Sequence, residues 1–166
     1  MRVRPEAQAD HAAVHEINLA AFGGETEARL VALLREQARP VVSLVAEDAG
    51  IVIGHIMFSP VSLHGFRGLM MGLAPMAVAP ARQRAGIGSA LVRAGLERCR
   101  EIGAQAVVVL GHPDFYPRFG FLPAARLGLC CEYDVPAEAF MVLELESHAL
   151  RGATGTVSYH RAFAGI

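Results

Sequence analysis

The sequence predicts an α/β domain built on a central mixed sheet with helices against it, and three observations carry that expectation. The stretch Ala74 to Phe121 reads as a strand, a glycine-bearing loop, an amphipathic helix, a second strand and then an FYPRFGF turn. The strands on either side of the helix, Leu73 to Ala79 and Ala104 to Leu110, are nearly all apolar, as strands buried on both faces are. Two further helices and a strand pair precede this unit, and more short strands follow it.

In chain order, Val3 to Pro5 is a candidate first strand, and Asp10 is a candidate N-cap for a helix reaching Phe22, with Val14, Ile17 and Ala21 on its apolar stripe. His11 and His15 stand one helical turn apart, but alanine at position 12 breaks the zinc-protease pattern, so no metal site is expected. Gly23 and Gly24 interrupt the helix, and a second one is expected from Glu25 to Ala38, with Leu30, Leu33 and Leu34 inward and Pro40 beyond its end. Val41 to Glu47 and Ile51 to Val61 form two strands joined by a tight turn at Asp48, Ala49 and Gly50. Ser62 to Gly68 is a loop, and His55 lies within a strand.

The central helix is placed from Gly88 to Ile102. Leu91, Gly95, Cys99 and Ile102 line one face beside Val92 and Leu96, while Arg93, Glu97, Arg100 and Glu101 line the other. Gly103 supplies the left-handed residue that ends it. Strand, crossover helix and strand in one sheet imply parallel pairing with a right-handed connection. Beyond the FYPRFGF turn, Leu127 to Tyr133 and Ala139 to Glu146 are expected as a further pair of strands joined through Asp134 to Glu138. A short extended stretch is expected at Val157 to Tyr159.

Length and composition bound the function. The 166 residues make one domain, 53% hydrophobic and 19% charged, with a net charge of −1, and so neither disordered nor suited to nonspecific nucleic-acid binding. No apolar run reaches the roughly 18 residues of a membrane span, and the N-terminal segment lacks a signal peptide's apolar core. Three cysteines, two of them adjacent at Cys130 and Cys131, suggest no disulfide framework. The expected compartment is the cytoplasm.

The chemistry concentrates at the start of the central helix, Gln83, Arg84, Ala85, Gly86, Ile87, Gly88 and Ser89. A helix N-terminus has unpaired N–H groups and partial positive charge, and two glycines let a phosphate approach the backbone. Arg82 and Arg84 add charge beside it. The chain contains no lysine, which excludes the nucleotide P-loop. Leu91 stands where a dinucleotide fingerprint needs Gly or Ala, and the following strand ends in Leu110, Gly111 and His112 without an acidic residue, which disfavours a nicotinamide or flavin enzyme.

Gln83, Gly86 and Gly88 match [QR]xxGx[GA], and Tyr116 stands four residues before Gly120 of a GF pair completed by Phe121. In these two motifs the chain resembles the GNAT superfamily of N-acetyltransferases. That resemblance implies a sheet whose fourth and fifth strands splay apart, acetyl-CoA as cosubstrate, and direct acetyl transfer to a primary amine on a small molecule or peptide. It implies that the backbone of Met76, Ala77 and Val78, with Gln83 to Ser89, binds the cofactor, and that Tyr116 gives a hydrogen bond or proton to the leaving sulfur. In the family, the connection between the first two helices overhangs the acceptor, which makes Glu25 and Glu27 candidates for recognising an ammonium group. The connection after Tyr133 flanks it too, bringing Glu132, Tyr133 and Asp134 within reach. Many members carry an asparagine after the fifth strand. Here GHPDFY stands there, with His112 and Asp114, so His112 is the first candidate base, since imidazole titrates near neutrality, with Glu25 and Glu27 behind it and an ordered water as the alternative relay. A noncatalytic acyl-CoA binding module is the alternative, and homodimerisation through a strand edge or the apolar tail is open.

Overall fold

The computed structural model describes residues 1–165. Its strands are β1 (Arg2–Pro5), β2 (Val42–Asp48), β3 (Ile51–Leu63), β4 (Leu69–Val78), β5 (Ala104–Leu110), β6 (Leu122–Pro123), β7 (Leu129–Cys131), β8 (Phe140–Glu144) and β9 (Gly155–Ser158). Three helices, α1 (His11–Phe22), α2 (Thr26–Gln37) and α3 (Ile87–Glu101), pack on the sheet. The main path of the sheet runs β1-β2-β3-β4-β5-β8-β6, and β9 joins β3 to β7. Among the described residues only the β4–β5 and β7–β9 pairings are parallel, so the sheet is mixed, as expected.

The local signals produced the elements they should. Ala49 and Gly50 take positive φ of 51° and 80° between paired Asp48 and Ile51, the two-residue turn that matches strand twist. Gly103 ends α3 at φ 88°. Gly95, in the middle of α3, allows the helix to lie against Phe58: a Cβ there would sit 2.3 Å from the Phe58 ring. All three cysteines are free, with Cys99 on the buried face of α3.

Three expectations need correction. β4 begins at Leu69, four residues earlier than predicted, because Leu69 to Leu73 pair with β5, and Met70 to Leu73 with β3 as well. The strands within 127–133 and 139–146 are not partners: β7 pairs with β9, while β8 pairs with β5 and β6. Asp10 precedes α1 without capping it, since its carboxylate accepts from the Ala7 N–H at 2.7 Å and from the Arg4 guanidinium at 2.7 and 3.0 Å.

The sheet separates two apolar clusters. On one face α1, α2 and the C-terminal segment contribute Val14, Leu30, Leu34, Tyr159 and Phe163. On the other, α3 contributes Ile87, Leu91 and Leu96, joined by Phe58, Tyr116 and Phe121. His55 is fully buried: its Nε2 lies 2.9 Å from Ser43 Oγ and 3.5 Å from Glu6 Oε2, while Arg35 holds Glu6 through two hydrogen bonds of 2.7 and 2.8 Å. Burial works to raise the Glu6 pKa, but the Arg35 hydrogen bonds and charge outweigh it and the net direction is down.

Candidate active site

The site follows from where β4 and β5 part. Their last pair is Leu73 with Val109; beyond it Met76, Ala77 and Val78 pair with β3 alone, which leaves their other edge without a strand partner. Unpaired strand edges offer backbone N–H and C=O groups to an extended ligand. A cavity of about 1280 Å³ occupies the gap. Its wall includes Leu73 and Met76, which pack with the α3 cluster, and Ala74 and Leu110, which pack with the α1–α2 cluster. The cavity therefore opens toward both faces of the sheet.

At the α3 end the wall is Val78, Arg82, Gln83, Arg84 and the helix start at Gly86 to Ser89. Gly86 takes φ 84°, a conformation that costs glycine nothing, and the first α3 backbone hydrogen bond is Ala90 N–H to the Gly86 carbonyl at 3.1 Å. The N–H groups before Ala90 thus lie ahead of the helical ladder. Gln83 Nε2 donates to the Val78 carbonyl at 3.1 Å and ties the loop to the end of β4. Arg82 pairs with Asp48 at 2.8 Å, whereas Arg84 forms no ion pair among the described residues. Of the predicted cofactor residues, Ala77 and Ala85 are absent from the wall, Ala77 because its side chain is buried within the sheet.

Tyr116 stands at the gap itself. It is 7% exposed, with its ring edge-on to Phe115 and Phe121 at 5.0 and 5.6 Å. Burial pushes its pKa up to about 12, so the hydroxyl is neutral at physiological pH. Gly111 makes room for it: a Cβ on Gly111 would lie 2.3 Å from the Tyr116 ring. His112 and Asp114 are exposed and also line the cavity, and the His112 carbonyl closes the turn by accepting the Phe115 N–H at 3.1 Å.

At the other end the wall is Phe22, Glu27, Leu30, Tyr133, Tyr159 and Phe163. Glu27 reaches it and Glu25 does not; Glu25 is exposed and pairs with Arg29 at 2.7 Å. Glu132 turns to the backbone, accepting the Tyr159 N–H at 2.7 Å, while Tyr133 faces the cavity. Tyr159 and Phe163 escaped sequence reasoning, since a tail packed by long-range contacts carries no local motif. Among the described residues no group of three or more His, Cys, Asp or Glu side chains is arranged to hold a metal, and no helix is long and apolar enough to cross a membrane.

The cavity thus joins the start of α3 to a second, aromatic-lined pocket through the gap between β4 and β5, an arrangement with room for two reactants side by side. The Acetyltransferase (GNAT) family matches residues 11–121. The chain is 40% identical over 164 residues, 98% of both proteins, to the uncharacterized N-acetyltransferase YhbS of Escherichia coli strain K12. It is 43% identical over 136 residues to YjhQ of the same strain, also named an uncharacterized N-acetyltransferase, covering 79% of this chain and 75% of YjhQ. The crystal structure of E. coli YhbS in complex with CoA aligns with a TM-score of 0.92 at 38% identity, over 98% of this chain and 91% of that one. A Brucella melitensis GNAT acetyltransferase in complex with acetyl-CoA aligns with a TM-score of 0.81 at 36% identity, over 98% and 97%. The chain belongs to the GNAT family of N-acetyltransferases.

Proposed function

We propose that this enzyme transfers an acetyl group from acetyl-CoA to a primary amine by direct attack within a ternary complex. The observation that carries the reading is the two-ended cavity, with the phosphate-type loop at one end, a neutral Tyr116 at the gap and an open pocket at the other. The two aligned structures with CoA and acetyl-CoA bound support the same cosubstrate here.

In this scheme the N–H groups of Gly86, Ile87, Gly88 and Ser89 receive the pyrophosphate, with Arg84 beside it, and the free edge of Met76 to Val78 receives the pantetheine amides. The same edge supplies a donor to the oxyanion that develops on the thioester carbonyl. The acceptor ammonium gives up a proton to His112 and its nitrogen attacks the carbonyl carbon. The C–N bond forms and the C–S bond breaks, the thiolate takes a proton from Tyr116, the second proton of the former amine nitrogen returns to the Tyr116 phenolate, and His112 releases its proton to solvent. Acetyl-CoA and the amine become the acetamide and free CoA.

Thermal unfolding with acetyl-CoA and CoA tests the first half of the reading, since a ligand that binds only the folded state raises the midpoint. Thiol release on adding primary amines tests the second. Midpoint shifts without thiol release from any amine would instead identify an acyl-CoA binding module, and no shift would remove the cofactor assignment.

A further inference from the structure

The acceptor half of the cavity has a composition unlike the cofactor half. Its walls are largely aromatic: Tyr133 and Tyr159 lie 5.9 Å apart between ring centroids, Tyr159 and Phe163 lie 5.2 Å apart, and Phe22 lines the same end. The cavity's arginines, Arg82, Arg84 and Arg118, come from the loop before α3 and the turn after Tyr116, and none comes from α1, α2 or the C-terminal segment. The charge that α2 brings to the wall is Glu27, half-buried and without a hydrogen bond or ion pair among the described residues. Its neighbour Glu25, by contrast, is held by Arg29.

Tyr159, 9% exposed and packed against the rings of Tyr133 and Phe163, gives this half of the cavity a fixed aromatic floor.

Resting on the acetyl-transfer reading above, we infer that the acceptor is an arylalkylamine: one primary ammonium on a short apolar arm, an aromatic ring, and no carboxylate. The ring stacks edge or face against Tyr133, Tyr159 and Phe163, which prefer such offset contacts. The ammonium is drawn to Glu27 and to the aromatic faces together. A carboxylate on the acceptor would face Glu27, with no arginine among the described residues lining this half of the cavity to receive it. A polyamine would find one carboxylate for several charges.

The test uses the intact protein with acetyl-CoA and four amines: phenethylamine, n-hexylamine, phenylalanine and spermidine. Thiol release should give phenethylamine a kcat/KM about tenfold above n-hexylamine, the factor expected from one partly desolvated ring contact, and phenylalanine and spermidine should fall below both. Glu27→Gln should raise KM for phenethylamine about tenfold, while the acetyl-CoA-induced rise in unfolding midpoint stays unchanged. Tyr133→Ala, at a residue 38% exposed and so tolerant of truncation, should raise KM for phenethylamine more than for n-hexylamine. A midpoint rise with acetyl-CoA but equal or better turnover of n-hexylamine, phenylalanine or spermidine overturns this inference alone, as does absence of phenethylamine turnover. No midpoint rise overturns the acetyl-transfer reading with it.

Discussion

Gly111→Ala asks whether the Tyr116 hydroxyl must stand where it does. Gly111 follows β5 and lies under the Tyr116 ring, where a Cβ would meet Cε2 at 2.3 Å, Cδ2 at 2.9 Å and Cζ at 3.3 Å. Ordinary contact begins at 3.4 Å, so the ring has to retreat by about 1 Å. It cannot do so freely, because Phe115 and Phe121 already pack against it and it is 7% exposed. The backbone is no obstacle, since Gly111 is not among the glycines with positive φ. Overpacking of this kind costs about 1–3 kcal/mol of stability, tolerable for a folded protein. A reactive group displaced by about 1 Å loses on the order of 10²-fold in rate, or roughly 2.7 kcal/mol of transition-state stabilisation. Steady-state thiol release should therefore show kcat lowered about 100-fold, with the acetyl-CoA midpoint shift largely kept. Tyr116→Phe, which removes the hydroxyl and leaves the ring, should lower kcat by about 10²–10³-fold, within the range of one acid catalyst. Combining the two should cost little more than Tyr116→Phe alone, because both act through the same hydroxyl. A folded Gly111→Ala enzyme with kcat within a factor of about three of the parent would refute a role for the tyrosine's position in proton transfer.

Other sites give separate checks. Gly86→Ala meets nothing within 4 Å, so its penalty is the left-handed conformation at φ 84°, about 1–2 kcal/mol, which should lower the unfolding midpoint by about 2–6 °C; relaxation of the loop away from that conformation should weaken acetyl-CoA binding in a titration by up to about tenfold. Gly95→Ala places a methyl 2.3 Å from the Phe58 ring, and although alanine favours helix by about 1 kcal/mol, the clash should win and lower the melting midpoint by roughly 5 °C. His55 is held neutral by burial, which lowers its pKa from 6.5 to about 4 against the raising effect of Glu6 and with Arg35 acting in the same direction as burial. The unfolded chain binds that proton more readily, so the contribution is present above pH 6.5 and is lost as pH falls toward 4, by about 2 kcal/mol at pH 5. Urea midpoints at pH 7 and pH 5 should reflect that loss, and His55→Gln should reduce the difference; an unchanged difference would place the pH dependence elsewhere.

The sequence by itself determined what is local. The period of Leu91, Gly95 and Cys99 set α3, Gly103 set its end, Asp48-Ala49-Gly50 set the first hairpin, and the glycine spacing after β4 marked the helix start that now lines the cavity. These features arise from backbone sterics and from one buried face per element, both written within a dozen residues. Long-range burial decided the rest. Cys130 and Cys131 pair with Thr156 and Val157 rather than with the neighbouring strand, and this brings Tyr159 and Phe163 over the parted sheet. The choice between Glu25 and Glu27 likewise belongs to the tertiary structure: both sit at the start of α2, and only the packing of that helix on the sheet turns Glu27 to the cavity and leaves Glu25 with Arg29. Such placements depend on which distant surfaces exclude water from one another, a property of the assembled chain that no short pattern of residues carries.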